Sequence, residues 1–113
     1  MKFMLLIMND PKIPLVSEAE MPALLAQFQK VGADLEAARK LVHSSRLRPP
    51  QEAKTVRNPR GAKPVVVDGP FSEAKETVGG YFVLECASEA EAVEWAQKFP
   101  PGTVVEVRAF WQM

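Results

Sequence analysis

Three unbroken apolar runs constrain this chain more than any other feature: Phe3 to Ile7, Val65 to Val67 and Tyr81 to Leu84. A strand with one solvated face alternates apolar and polar residues, whereas an unbroken run is the pattern of a strand covered on both faces. A sheet built from these runs needs cover on two sides. The first run stops at Asn9-Asp10-Pro11, well short of the roughly 20 apolar residues that span a bilayer. It lacks the small-residue cleavage site of a secretory signal and reads as the opening strand.

The cover available in sequence is two helices. From Ala23 to Arg39, the residues Leu24, Phe28, Val31 and Leu35 recur every three or four positions and draw one apolar stripe. Ser17 and Glu20 have capping-box spacing, but a helix starting there carries Pro22 at its fifth position and strains the Glu18 carbonyl, so two starts compete. Arg39 and Lys40 suit the negative end of the dipole. The second helix opens on Ser88 and Glu91, another capping box. It sets Ala92, Trp95, Ala96 and Phe99 on one face, with Glu94 and Lys98 spaced as an exposed ion pair, and ends at Pro100-Pro101-Gly102.

Strands fill the rest. Leu41 to Leu47 follows the first helix, and Thr55-Val56-Arg57 with Pro64-Val65-Val66-Val67 flank the turn set Asn58-Pro59-Arg60-Gly61 as a hairpin. Ser72 to Thr77 has room for one helical turn. Gly79-Gly80 then releases the chain into Tyr81 to Glu85, and Thr103 to Trp111 alternates as a final strand.

The order β, α, β, hairpin, β, α, β over residues 1–113 is a single α+β domain of the ferredoxin-like βαββαβ type with an inserted hairpin. Two helices cover one face of such a sheet. The other face would be a large apolar patch on a monomer, and two copies packed sheet to sheet as a homodimer would hide it; the alternative is a monomer whose loops lie over that face.

Fourteen basic and 14 acidic residues cancel, and 47% of the chain is hydrophobic. Without excess positive charge there is no long-range field to gather nucleic acid or an anionic membrane, so neither is an expected partner. Cys86 is the only cysteine, which excludes an intrachain disulfide, removes any Cys-based zinc site and fits a reducing, cytoplasmic location.

The string Val67-Asp68-Gly69-Pro70-Phe71-Ser72-Glu73-Ala74-Lys75-Glu76, then Gly79-Gly80-Tyr81-Phe82, the Glu91 to Trp95-Ala96 helix and Val105-Glu106-Val107-Arg108 closely resemble the YCII-related family in its DGPF subgroup. The resemblance covers nearly the whole chain. It implies a dimeric α+β barrel. It implies little about chemistry, since members are largely uncharacterised, and some are encoded near extracytoplasmic-function sigma factors, which makes a regulatory protein an alternative partner. In some relatives a histidine early in the first helix and an aspartate after the second-helix tryptophan are proposed as an acid/base pair. The matching positions here are Leu24 and Phe99, so that mechanism does not transfer.

Among polar candidates, Asp68 ends an apolar strand beside Gly69-Pro70-Phe71 and can serve as a general base or grip a ligand, yet Asp before Gly-Pro is also a turn former. His43 is the only histidine. An imidazole can move protons, while on an apolar face a lone histidine is more often a hydrogen-bonded packing residue, and alone it makes a poor metal site. Arg46 and Arg57, with Arg48, can converge on a carboxylate or phosphate. Phe71, Tyr81 and Trp111 can line a ligand space, and Glu73, Lys75 and Glu76 its rim. Cys86 has no neighbour that would activate a thiol, and Gly79-Gly80 reads as a close backbone approach to the Asp68 turn.

No phosphate loop, nucleophile elbow or histidine cluster is present, so no cofactor or metal is expected. Two functions stay open: a cofactor-independent enzyme using Asp68 and His43, or a module that binds a small metabolite or a regulatory protein.

Overall fold

The computed structural model describes residues 1–9, 16–69 and 77–112. β1 (Lys2–Asn9) lies between β5 (Thr77–Glu85) and β6 (Val104–Ala109), and β2 (Leu41–Arg46) flanks β5, giving the order β2-β5-β1-β6 with every pair antiparallel. Helices α1 (Met21–Ala37) and α2 (Glu89–Ala96) complete a mixed α+β unit consistent with a ferredoxin-like fold. The inserted β3 (Lys54–Arg57) and β4 (Val65–Asp68) form a separate two-stranded ribbon.

Cross-strand register sorts the apolar residues into two faces. Phe3 lies opposite Leu84 and Leu5 opposite Phe82. All four sit in the buried core with Ile7, Val31, Leu35, Ala92 and Phe99, under the helices. Each fully buried apolar side chain contributes about 1.5–3 kcal/mol. The intervening residues Met4, Leu6 and Met8, with Tyr81, Val83 and Val104 from their neighbours, lie on the opposite face. No described helix covers it.

Both competing starts of the first helix are used. Ser17 opens a 3₁₀ turn, Glu18–Glu20, where the Glu20 carboxylate accepts from the Ser17 hydroxyl at 2.7 Å and its backbone N–H at 3.4 Å. The α-helix proper begins at Met21, leaving Pro22 in the first turn, where its missing N–H costs nothing. At the other end Arg39 adopts φ 59, and the Lys40 N–H reaches the Leu35 carbonyl at 2.9 Å, a Schellman-type stop formed without glycine.

That stop aims Lys40 at α2. Its ammonium lies 2.8 Å from the Glu91 carboxylate, tying the α1–β2 corner to the β5–α2 corner. Glu91 is also the cap partner of α2: its N–H donates to the Ser88 hydroxyl at 3.2 Å, while its carboxylate accepts from the Ala87 N–H at 3.2 Å. The expected Glu94–Lys98 pair does not form. α2 ends at Ala96, so Lys98 leaves the helix and lies over the Trp95 ring at 4.3 Å.

The strand expected to begin at Tyr81 begins at Thr77, with Gly79 and Gly80 inside it; the helical turn expected over Ser72 to Thr77 falls mostly outside the described residues. A Cβ on Gly80 would meet the Ser45 carbonyl oxygen at 3.0 Å, and one on Gly79 would strike the Asn9 side chain. The close approach is therefore to β2 and β1 rather than to the Asp68 turn. Val65, Val66 and Val67, expected within the covered sheet, are half exposed on the ribbon because among the described residues β4 pairs only with β3.

Bonding to Lys40, and to the Ala87 N–H, holds the Glu91 carboxyl below its ordinary value of 4.5. A depressed folded-state value gives stability that is present above 4.5 and lost as pH falls through the lower folded value. Urea midpoints measured against pH should therefore drop below that point, and less steeply in Glu91→Gln. Parallel profiles for the two proteins would remove Glu91 as a source of acid sensitivity.

Candidate functional site

β2 divides its side chains between the two faces. Ser44 lies opposite Phe82, and Arg46 lies opposite Gly80, which in turn faces Ile7. Ser44 and Arg46 thus stand on the helix side, while His43 opposite Val83 and Ser45 opposite Tyr81 stand on the uncovered face.

A half-open cleft of about 1290 Å³ runs between α1 and the sheet and extends to Met8, Ser45, Tyr81 and Val104. Leu24, Leu25 and Phe28 form its wall and Ile7 and Phe82 its floor, with Ser44, Arg46 and Gln51 among its polar groups. The size exceeds the roughly 300–1,000 Å³ of typical ligand pockets, and the apolar lining with a few polar groups is their usual chemistry. Arg46 is the only cation among the described lining residues, and it makes no ion pair or side-chain hydrogen bond among the described residues.

On the uncovered face the Nδ1 of His43 lies 3.0 Å from the Tyr81 hydroxyl, with ring centroids 5.5 Å apart. Tyr81 donating to Nδ1 leaves Nε2 carrying the proton and pointing away from the pair; His43 donating leaves Nε2 as an acceptor. Two candidates thus form a unit, and the pairing crosses 38 residues of sequence.

Asp68 stands apart from that unit. It ends β4 on the ribbon, and its carboxylate pairs with the Lys54 ammonium directly opposite, the side chain remaining 85% exposed. The turn is held by the Gly69 N–H to the Ala53 carbonyl at 2.7 Å and the Thr55 hydroxyl to the Gly69 carbonyl at 2.8 Å. Arg57 is exposed on β3 of the same ribbon, and Arg48 forms an ion pair with Glu52 at 2.9 Å. Phe71, with Glu73, Lys75 and Glu76, lies outside the described residues. Trp111 is 90% exposed beyond the end of β6.

Cys86 is buried, and desolvation, the largest influence, pushes its thiol above the ordinary range; a thiol so placed is a poor nucleophile. Leu24 and Phe99 are both buried, 8% and 6% exposed, so the positions of the relatives' suggested acid/base pair are apolar packing here. Among the described residues no three His, Cys, Asp or Glu side chains gather as a metal site, and no helix is long and apolar enough to cross a membrane.

Sequence reasoning named Arg46, His43 and Tyr81 but not their division between two faces. The parity of β2 holds that information: residues 43 and 45 alternate with 44 and 46, and with Leu41 packed toward the core the sorting follows once the irregularity between Leu41 and His43 is known. The Lys40–Glu91 tie and the cleft depend on tertiary packing and have no local signal.

The whole chain, residues 1–113, matches the model of the YCII-related domain. It is also 33% identical over 98 residues to an uncharacterised protein of Rhizobium meliloti (strain 1021), a match covering 86% of this chain and 78% of that protein. With antiparallel sheets, two helices and a match from end to end, the chain belongs to the YCII-related family.

Proposed function

We propose that this protein, a member of the DGPF subgroup on its Asp68-Gly69-Pro70-Phe71 string, is a cytoplasmic homodimer that binds a small metabolite in the cleft beside α1. The observation that carries the binding reading is the cleft itself: an apolar wall and floor ending at Arg46, which has no ion pair among the described residues. A concave, mostly apolar groove with few polar groups has the lining chemistry of small-molecule sites and favours a small organic molecule over a protein segment such as a sigma factor.

Dimerisation is supported by area. A compact 12.5 kDa chain exposes roughly 6,200 Å², whereas this one exposes 8412 Å². Its radius of gyration is 16.1 Å, against about 13 Å for a compact domain of this length. The surplus of roughly 2,200 Å² exceeds the 800 Å² or so that each partner buries in a standard interface. Pairing the faces that carry the half-buried Met4, Leu6, Met8 and Tyr81 would cover part of that surplus and form the dimeric α+β barrel.

A second reading, enzymatic action without a cofactor, is favoured by one observation, the His43–Tyr81 hydrogen bond. In a sheet-paired dimer this pair lies in the enclosed space and can exchange a proton with a bound molecule. Asp68, the other acid/base candidate, is solvated and neutralised by Lys54, so it ranks behind the pair.

Sedimentation should give twice the 12.5 kDa chain mass, and Leu6→Glu should weaken association by about 30-fold or more; a wild-type monomer at micromolar concentration contradicts the dimer. A neutral solvatochromic dye should bind once per chain, and Ala33→Trp, which fills the cleft from α1, should weaken it at least about tenfold with the circular dichroism unchanged. Undiminished binding would move the site elsewhere. Should a co-purifying metabolite be converted on incubation, His43→Gln and Tyr81→Phe should each slow conversion by about 10² or more, with Asp68→Asn near wild type; the opposite pattern returns the role to Asp68.

A further inference from the structure

The cleft is electrically polarised along its length. β2 leaves α1 through the Ala38–Lys40 corner, so Leu41 and Glu36 mark one end, and both line the cleft. Arg46 lies five residues further along β2, about 16 Å away at the rise of an extended strand. Because β1, α1 and β2 run up, down and up, that is also the end from which α1 starts, where Met21 and Leu24 line the wall. The positive end of the helix dipole therefore adds to the charge of Arg46, and the negative end adds to that of Glu36.

The guanidinium is also available. Arg46 is exposed and has no carboxylate within 4 Å among the described residues, whereas Lys30, Lys40, Arg48, Lys54 and Arg108 each have one. Its neighbour across the ladder is Gly80, where β2 and β5 approach so closely that a Cβ would sit 3.0 Å from the Ser45 carbonyl oxygen and 3.5 Å from the Arg46 Cα. The floor beside the guanidinium is thus free of side chain, while the next row offers Phe82 and the Ser44 hydroxyl.

Resting on the reading of this cleft as a small-molecule site, we infer that its ligand is an amphipathic monoanion: a carboxylate head held by Arg46, with an apolar body lying along Leu24, Phe28 and Phe82 toward the Glu36 end. A planar guanidinium matches a carboxylate through two parallel N–H donors. One carboxylate charge is balanced by the single cation of the described lining, whereas a phosphate dianion would leave one negative charge without a partner there. Glu36 at the far end repels the head and sets the orientation.

Displacement of the neutral dye by decanoate, decanol and decyl phosphate, each below its micelle concentration, tests this on the wild-type chain and on Arg46→Gln. Decanoate should displace dye at least about tenfold more tightly than decanol, as a hydrogen-bonded ion pair requires, and Arg46→Gln should abolish that preference while leaving dye and decanol binding within about twofold. Equal displacement by decanoate and decanol, or a preference that survives Arg46→Gln, overturns the anion assignment while the cleft still binds dye. Tighter displacement by decyl phosphate overturns the carboxylate head. Dye binding that ignores Ala33→Trp removes the cleft reading, and this inference with it.

Discussion

The β1–β5 ladder is the interaction on which everything else in this molecule depends. β1 is paired along both edges, by β5 on one side and β6 on the other, so its backbone groups are satisfied and its side chains must divide between two faces. Phe3, Leu5 and Ile7 go under the helices, and Met4, Leu6 and Met8 go to the side no described helix covers. A slip of one residue would exchange the two sets. Register is pinned at the far end by Gly79 and Gly80, which leave room for the Asn9 side chain and for the β2 backbone.

The two faces that this division creates do different work. On the helix side the core closes tightly at the α2 end, where Phe99 packs edge-on against Phe28 and Phe82 at centroid distances of 5.8 and 5.0 Å. It stays open between α1 and β2, and that gap is the proposed ligand cleft. The other face carries the His43–Tyr81 pair in a field of methionine, leucine and valine. The β3–β4 ribbon adds Val56, Val65, Val66 and Val67, each between 47% and 64% exposed. A two-stranded ribbon is marginal by itself, so the same shortage of cover recurs in the insert.

Local chemistry made much of this legible in the residues. The apolar run ending at Asn9, the stripe of Leu24, Phe28, Val31 and Leu35, the Ser88 cap and the paired β-formers around Asn58 to Gly61 each named an element of the correct type. Errors arose where position depends on contacts distant in sequence. Gly79 and Gly80 read as a strand boundary, because their reason for being glycine is a neighbouring strand 35 residues earlier and another 70 residues earlier. Lys98 read as a helical partner of Glu94 because the helix looked two residues longer than its Gln97 cap allows. The site was legible as residue types only: His43, Tyr81 and Arg46 were visible as candidates, and the register alone assigns them to opposite faces.

Everything proposed for the open sheet face requires that a second copy cover Met4 and Met8. Hydroxyl-radical labelling read by mass spectrometry measures that cover directly, since exposed thioethers oxidise readily. In concentrated solution Met4 and Met8 should label slowly, and their labelling should rise together on dilution while Phe3 and Leu5 stay protected. Rapid labelling of Met4 and Met8 at every concentration would show the face open to water and rule out sheet-to-sheet pairing.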